Sequence, residues 1–228
     1  MTVSEGLRER LSTLGIQSDR IRVLRNGVDV DLFRPVEKQT TRERLGLAGR
    51  VLVSVGNLVR LKGHELIIQA LVDMPSTTLL VVGRGPERLS LEALAQAVGV
   101  AGRVRFLEPV PQVQLRDIYS AADALILASS SEGWPNVLLE SMACGTPVIA
   151  TDIPGAREII DAPEVGLLLR ERTPDSIVQS VEALLARPTD SAAIRAYAER
   201  FSWDLTTSGQ LQMFDQITRK SRDRAPAG

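Results

Sequence analysis

Cysteine and histidine are nearly absent. The 228-residue chain holds one of each, Cys144 and His64. One thiol cannot form an internal disulfide, and one cysteine with one histidine cannot supply the ligand set of a zinc site. Neither sign of charge is in excess, since 27 Lys+Arg stand against 28 Asp+Glu for a net charge of −1. That argues against a nucleic-acid partner, which calls for a basic surface. No apolar run approaches the ~18 residues that cross a bilayer. The opening MTVSEGLRER carries charges where a signal peptide has its apolar stretch. What is present is ordinary for a soluble globular protein: 44% hydrophobic and 24% charged residues. Such a chain is too apolar to stay disordered. The expectation is a cytoplasmic protein with a well-formed core.

Residues 1–36 differ in pattern from the rest of the chain. Ser4 to Leu14 predicts a helix with Leu7, Leu11 and Leu14 on one face and Gly15 past its end. A short strand is predicted at Ile21–Leu24, then an Asn26-Gly27 turn, with Pro35 closing the segment. From Val51 a rhythm begins. Apolar runs at Val51–Val55, Leu79–Val82, Val104–Leu107, Ala124–Ala128, Pro147–Ala150 and Gly166–Leu169 alternate with helical patterns at 64–73, 87–98, 113–122, 136–144, 155–160 and 174–186. Short strands alternating with helices imply right-handed crossovers and a parallel sheet covered on both faces. The expected fold is α/β: a doubly wound, mostly parallel, six-stranded Rossmann-like sheet over 37–188. After Arg187-Pro188 the pattern is helical, at Ser191–Arg200 and Trp203–Thr218. The basic cluster Arg219–Arg224 reads as a solvated, fraying terminus. Its alternative is weak contact with anionic lipid, which would put the whole protein at the inner face of the plasma membrane.

Ligands of doubly wound sheets bind beyond the carboxyl ends of the strands, so the loops there carry the functional reading. The most informative is SSSEGWPNVLLESMACGTP, 129–147. A helix is predicted to start near Pro135 or Asn136. The free N–H groups of Asn136, Val137 and Leu138, with the helix dipole, would form an anion site. Gly133 would let a ligand approach the backbone. Glu132 and Glu140, eight positions apart, frame that site. Glu140 would grip a ribose while the helix start holds a phosphate. The plain alternatives are a helix-terminal charge for Glu132 and a solvated position for Glu140. A second loop, GNLVRLKG at 56–63, offers Lys62 as a phosphate contact and Arg60 as another candidate. His64 is read as structural. A third loop, Gly83-Arg84-Gly85-Pro86, with Glu108 23 residues past Gly85, invites a dinucleotide reading, but Arg88 occupies the third glycine position. An NAD(P)-binding oxidoreductase domain is therefore the alternative.

Taken together these residues resemble the group 1 (family 4) glycosyltransferases. NGVDVDLFRP (26–35) is similar to that family's interdomain linker, SVGNLVRLKG (54–63) to its phosphate-binding loop, and EGWPNVLLESMACGTPVIATDIPGAREII (132–160) to its signature block. The resemblance implies one half of a two-domain GT-B fold. Residues 1–36 would be linker, 37–188 the nucleotide-sugar-binding domain, and 189–228 helices crossing back to an N-terminal acceptor domain that this chain lacks. It implies retaining transfer of a sugar from a UDP-sugar or GDP-sugar to a glycan or lipid-linked glycan, with no metal and no cofactor. The isolated half would be inactive, and its last helix, left uncovered, could drive self-association. A non-catalytic nucleotide-sugar-binding module is a further alternative.

Residue by residue, the resemblance gives Lys62 the diphosphate, with Arg60 as a second cation. It gives Glu132 the donor sugar and Glu140 the ribose. Gly56 and Asn57 would line the phosphate loop. The backbone of Gly133, Trp134, Pro135, Asn136, Val137 and Leu138 would hold sugar and phosphate. Gly83, Gly85, Leu107 and Glu108 would border the base. Asn57 stands where the family often has arginine, and Glu108 where a small residue is common. Asp29-Val30-Asp31 has the outline of a metal-binding Asp-x-Asp but is read as turn chemistry.

Overall fold

The computed structural model describes residues 1–222, with side chains through 218. Six strands, β1 (Arg50–Val55), β2 (Thr77–Val82), β3 (Val104–Leu107), β4 (Ala124–Leu127), β5 (Val148–Thr151) and β6 (Gly166–Leu169), form one sheet in the order β3-β2-β1-β4-β5-β6. Every pairing is parallel. The helices are α1 (Glu5–Thr13), α2 (Lys38–Leu45), α3 (His64–Ala70), α4 (Arg88–Ala97), α5 (Gln112–Ala121), α6 (Asn136–Ala143), α7 (Pro154–Arg157), α8 (Pro174–Leu185), α9 (Ser191–Ala198) and α10 (Trp203–Arg222). This is the doubly wound α/β fold expected from the sequence.

The continuous apolar runs serve both faces of the sheet, because successive side chains alternate. Val51, Val53, Leu125 and Leu127 pack with Tyr119 of α5, Leu138 of α6 and Ile194 of α9. Leu52, Val81, Ile126 and Ile149 pack on the opposite side with Ile67 of α3, Leu91 of α4 and Ile177 of α8. The strand order reverses between β1 and β4, paired at Leu52↔Ala124 and Val53↔Leu125. In open sheets of this kind the ligand crevice lies outside the carboxyl ends of the two strands at the reversal.

Four local expectations change. Helix α2 was not expected, because KQTTRERL has almost no apolar period. Its order comes from polar contacts instead. The Glu37 carboxylate accepts from Gln39 N and Thr40 N, Gly46 ends the helix, and Arg42 bonds the Ala121 carbonyl and Asp123. The strand expected at Ile21–Leu24 is only a bridge between Val23 and Thr2, since one neighbour gives it no sheet to join. The helix expected over 64–73 ends at Ala70 and tightens into a 3₁₀ turn, and that expected over 155–160 is one turn, Pro154–Arg157.

The first 36 residues do not stand apart. Val28 and Phe33 are buried in the main core, and Arg195 bonds the carbonyls of Val30 and Phe33. Helix α10 leaves an apolar face uncovered, with Leu211, Phe214 and Ile217 each more than half exposed. The cluster Arg219–Arg224 lies outside the residues whose side chains are described. No helix among the described residues is long and apolar enough to cross a membrane.

Candidate nucleotide-sugar site

Two loops flank the crevice, one after β1 and one after β4. They carry Lys62 and Glu132, and the fold brings these together. Lys62 Nζ lies 2.5 Å from Glu132 Oε1, which also accepts from the Ser129 hydroxyl at 2.7 Å. Both charged side chains are largely covered, at 21% and 14% exposure. The Lys62 stem lies over Gly56, where an added Cβ would come to 3.4 Å from Lys62 Cε. Ser129 was missed as a site residue. Its signal was the short polar run that closes a strand.

His64 fixes the first loop. Its ring is buried, with Nδ1 3.0 Å from the Ser54 hydroxyl and Nε2 3.3 Å from the Asn57 carbonyl. The tautomer protonated at Nε2 satisfies both bonds. Burial, reinforced by the Lys62 charge, brings the ring down to about 4 despite opposing backbone bonds. The fold thus favours neutral His64, whose unfolded value is near ~6.5. This contribution is complete above pH ~6.5 and is lost as pH falls toward about 4, amounting to about 3 kcal/mol at most. Urea unfolding at pH 7 and pH 4.5 checks it. The wild-type chain is expected to lose more stability over that interval than His64→Gln, and equal losses would contradict the account.

Helix α6 starts at Asn136 with Pro135 before it and no side-chain cap. The N–H groups of Asn136 and Val137 take no partner among the described residues, whereas that of Leu138 donates to the Pro135 carbonyl at 3.0 Å. Two of the three expected donors are therefore free for an anion. Glu140, one turn further on, is half-buried, and its Oε2 accepts from the Tyr119 hydroxyl at 2.9 Å. Burial raises the Glu140 carboxyl above the ordinary range, and the tyrosine bond partly offsets this. A cavity of about 170 Å³ lies beside Glu132, bounded by Ser130, Ser131, Leu7 and Arg10.

The side chains of the other expected site residues are placed as follows. The Trp134 side chain is 7% exposed in the core, its indole N–H donating to the Asn26 carbonyl at 3.0 Å. Pro135 is buried and Leu138 is fully buried, so neither offers a side chain to the crevice. Gly133 lies close to helix α1, where an added Cβ would meet Leu7 Cδ1 at 3.0 Å. Arg60 is 90% exposed, with Glu87 3.8 Å away, and does not join the Lys62–Glu132 pair. Asn57 is exposed, and its carbonyl serves His64. Asp29 accepts from Asp31 N and Leu32 N, the turn chemistry expected of it. The second half of the signature block is scaffold. Thr146 donates to the Tyr119 carbonyl at 2.7 Å, and burial pushes the Cys144 thiol up to about 12.

The dinucleotide reading fails on topology and on space. The Gly83–Pro86 turn follows β2, and Glu108 follows the edge strand β3, so neither belongs to the two strands, β1 and β4, between which the order reverses. A Cβ at Gly83 would lie 1.9 Å from the Gly56 carbonyl oxygen, and one at Gly85 would lie 2.4 Å from the Leu58 carbonyl oxygen. These glycines let two protein loops cross, so they do not open the backbone to a pyrophosphate. Leu107 supplies a carbonyl to Gly83 N, and the Glu108 side chain is 75% exposed, 3.5 Å from Arg88.

A covered acid–lysine pair and an uncapped helix start thus sit at the switch point of a doubly wound α/β domain, the place where that class of fold takes its ligands. The model of the family "Glycosyl transferases group 1" matches residues 37–201, and the chain belongs to that family. The D-inositol 3-phosphate glycosyltransferase of Acidothermus cellulolyticus is 36% identical, with the match covering 96% of this chain and 53% of that protein. Sucrose-phosphate synthase from Thermosynechococcus elongatus has a similar structure, with a TM-score of 0.85, 28% identity, and coverage of 96% of this chain and 58% of that one. HepE from Anabaena, solved with UDP and glucose, has a TM-score of 0.84 at 22% identity, covering 95% and 62%, a likeness of fold. The chain spans about half the length of the curated relatives it matches.

Proposed function

We propose that this chain is the donor-binding half of a retaining, metal-independent glycosyltransferase that moves a sugar from a nucleotide diphosphate-sugar to an acceptor held by a second domain. The observation that carries the reading is the meeting of Lys62, Glu132 and Ser129 at the switch point, beside the uncapped start of α6. As the glycosidic bond breaks, negative charge grows on the departing diphosphate. The Lys62 ammonium and the N–H groups of Asn136 and Val137 supply fixed positive potential there, which lowers the barrier without a metal ion. Glu132 keeps Lys62 aimed and offers its carboxylate to donor-sugar hydroxyls, a positioning role. Glu140 takes the ribose. The whole enzyme's chemistry needs the second half, whose natural seat is the uncovered face of α10.

The HepE complex supports UDP as the first nucleotide to try, with GDP second. The acceptor named for the relatives makes a phosphorylated polyol the first acceptor to test. Isothermal titration of the chain with UDP, GDP and ADP is expected to show one-site binding of at least one of them. Arg60→Ala is expected to leave that affinity within about twofold, because exposed charge pairs contribute little. No heat with any nucleoside diphosphate would contradict the proposal.

A further inference from the structure

Tyr119 was not among the residues expected to matter, yet it sits under the ribose-gripping acid. Its side chain is fully buried, and its hydroxyl reaches 2.9 Å from Glu140 Oε2 across the α5–α6 interface. The ring is seated by Phe33 of the linker motif, with centroids 6.1 Å apart. Its own backbone carbonyl is bonded by Thr146 of the signature block. Three separate segments thus fix one phenol against one carboxylate. Glu140 Oε1 takes no partner among the described residues and is not a sealed, unsatisfied atom. One carboxylate oxygen is held and the other is left free.

The geometry points to Tyr119 as the positioning residue for nucleotide ribose recognition, holding Glu140 by Oε2 so that Oε1 is presented to the ribose hydroxyls. This rests on the donor-site reading of the proposed function. A half-buried glutamate has rotamer freedom along its own helix, and a ligand must otherwise bear the cost of ordering it. A fixed donor from a neighbouring helix removes that cost in advance. It also favours the ionised carboxylate, which accepts from two hydroxyls where the neutral acid would accept poorly.

The test compares a nucleoside diphosphate with its 2′,3′-dideoxy analogue by calorimetry on the intact chain. The wild type is expected to prefer the ribose form by tenfold or more, on the order of one or two hydrogen bonds to a charged group. Tyr119→Phe keeps the ring and is expected to lower that preference by roughly fivefold, while the preference for diphosphate over monophosphate stays as it was. In a Glu140→Ala background, Tyr119→Phe is expected to change the ribose preference no further. Phe33→Leu, which loosens the ring's seat but keeps the hydroxyl, is expected to lower the preference partway, and it serves if Tyr119→Phe does not fold. An unchanged ribose preference in these variants, with only a lower melting temperature, would overturn the inference and leave the donor site standing. A wild-type chain that binds the nucleotide without preferring ribose overturns Glu140's role and this inference together. A chain that binds no nucleotide overturns the donor-site reading beneath both.

Discussion

Lys62→Ala is expected to weaken nucleoside diphosphate binding by about one to two orders of magnitude, the range of a charge-assisted hydrogen bond to phosphate. Two effects add. The substitution removes the ammonium that Lys62 brings to the switch point, and it strips Glu132 of its cation. The Glu132 carboxylate is then covered, unpaired and turned toward an anion. Lys62→Arg is expected to recover little, because a planar fork has no seat along Gly56 and against Glu132, where a slender stem now lies. Titration of both variants with the nucleotide that binds the wild type checks this. An affinity within threefold of the wild type for Lys62→Ala would mean that the pair only braces two loops.

Trp134→Ala is expected to cost about 3–5 kcal/mol of stability, the usual range for emptying a large aromatic from a core. Its melting temperature should fall by roughly 6–20 °C for a chain of this length. The indole packs against the Phe201 ring at 6.1 Å, lies under the Arg25 guanidinium at 5.6 Å and bonds the Asn26 carbonyl. It therefore ties the linker, the start of α6 and the end of α9 into one core. Trp134→Phe retains most of the packing and loses the hydrogen bond, and should cost about 1–2 kcal/mol. Thermal and denaturant unfolding measure both. A stable Trp134→Ala that has lost nucleotide binding would place the indole in the ligand site and contradict the core assignment.

The fold was legible because its signal was periodic. Six short apolar runs between helical patterns admit few arrangements other than a parallel sheet, and the runs fell on the strands within a residue or two. Helix α2 was not legible by that route, since Arg42 and Arg44 hold it to Asp123 and Asp117 by charge. Its capping Glu37 and closing Gly46 were the available signs. Within the site, the sequence pointed to Lys62, Glu132 and Glu140 through their loops and spacing, and the first two meet directly. It could not tell a glycine that admits a ligand from one that admits another loop. Gly83 and Gly85 proved to be of the second kind. Nor could spacing show that Tyr119 and Glu140, 21 residues apart, share a hydrogen bond, because that depends on how α5 packs on α6.

The central claim is best tested by a crystal structure of the chain with the nucleoside diphosphate it binds. The expected structure has the diphosphate within hydrogen-bonding distance of Lys62 Nζ and of the Asn136 and Val137 N–H groups, with a ribose hydroxyl on Glu140. A diphosphate lodged on the Gly83–Pro86 turn, or a nucleotide anywhere that leaves the Lys62–Glu132 pair untouched, would contradict it.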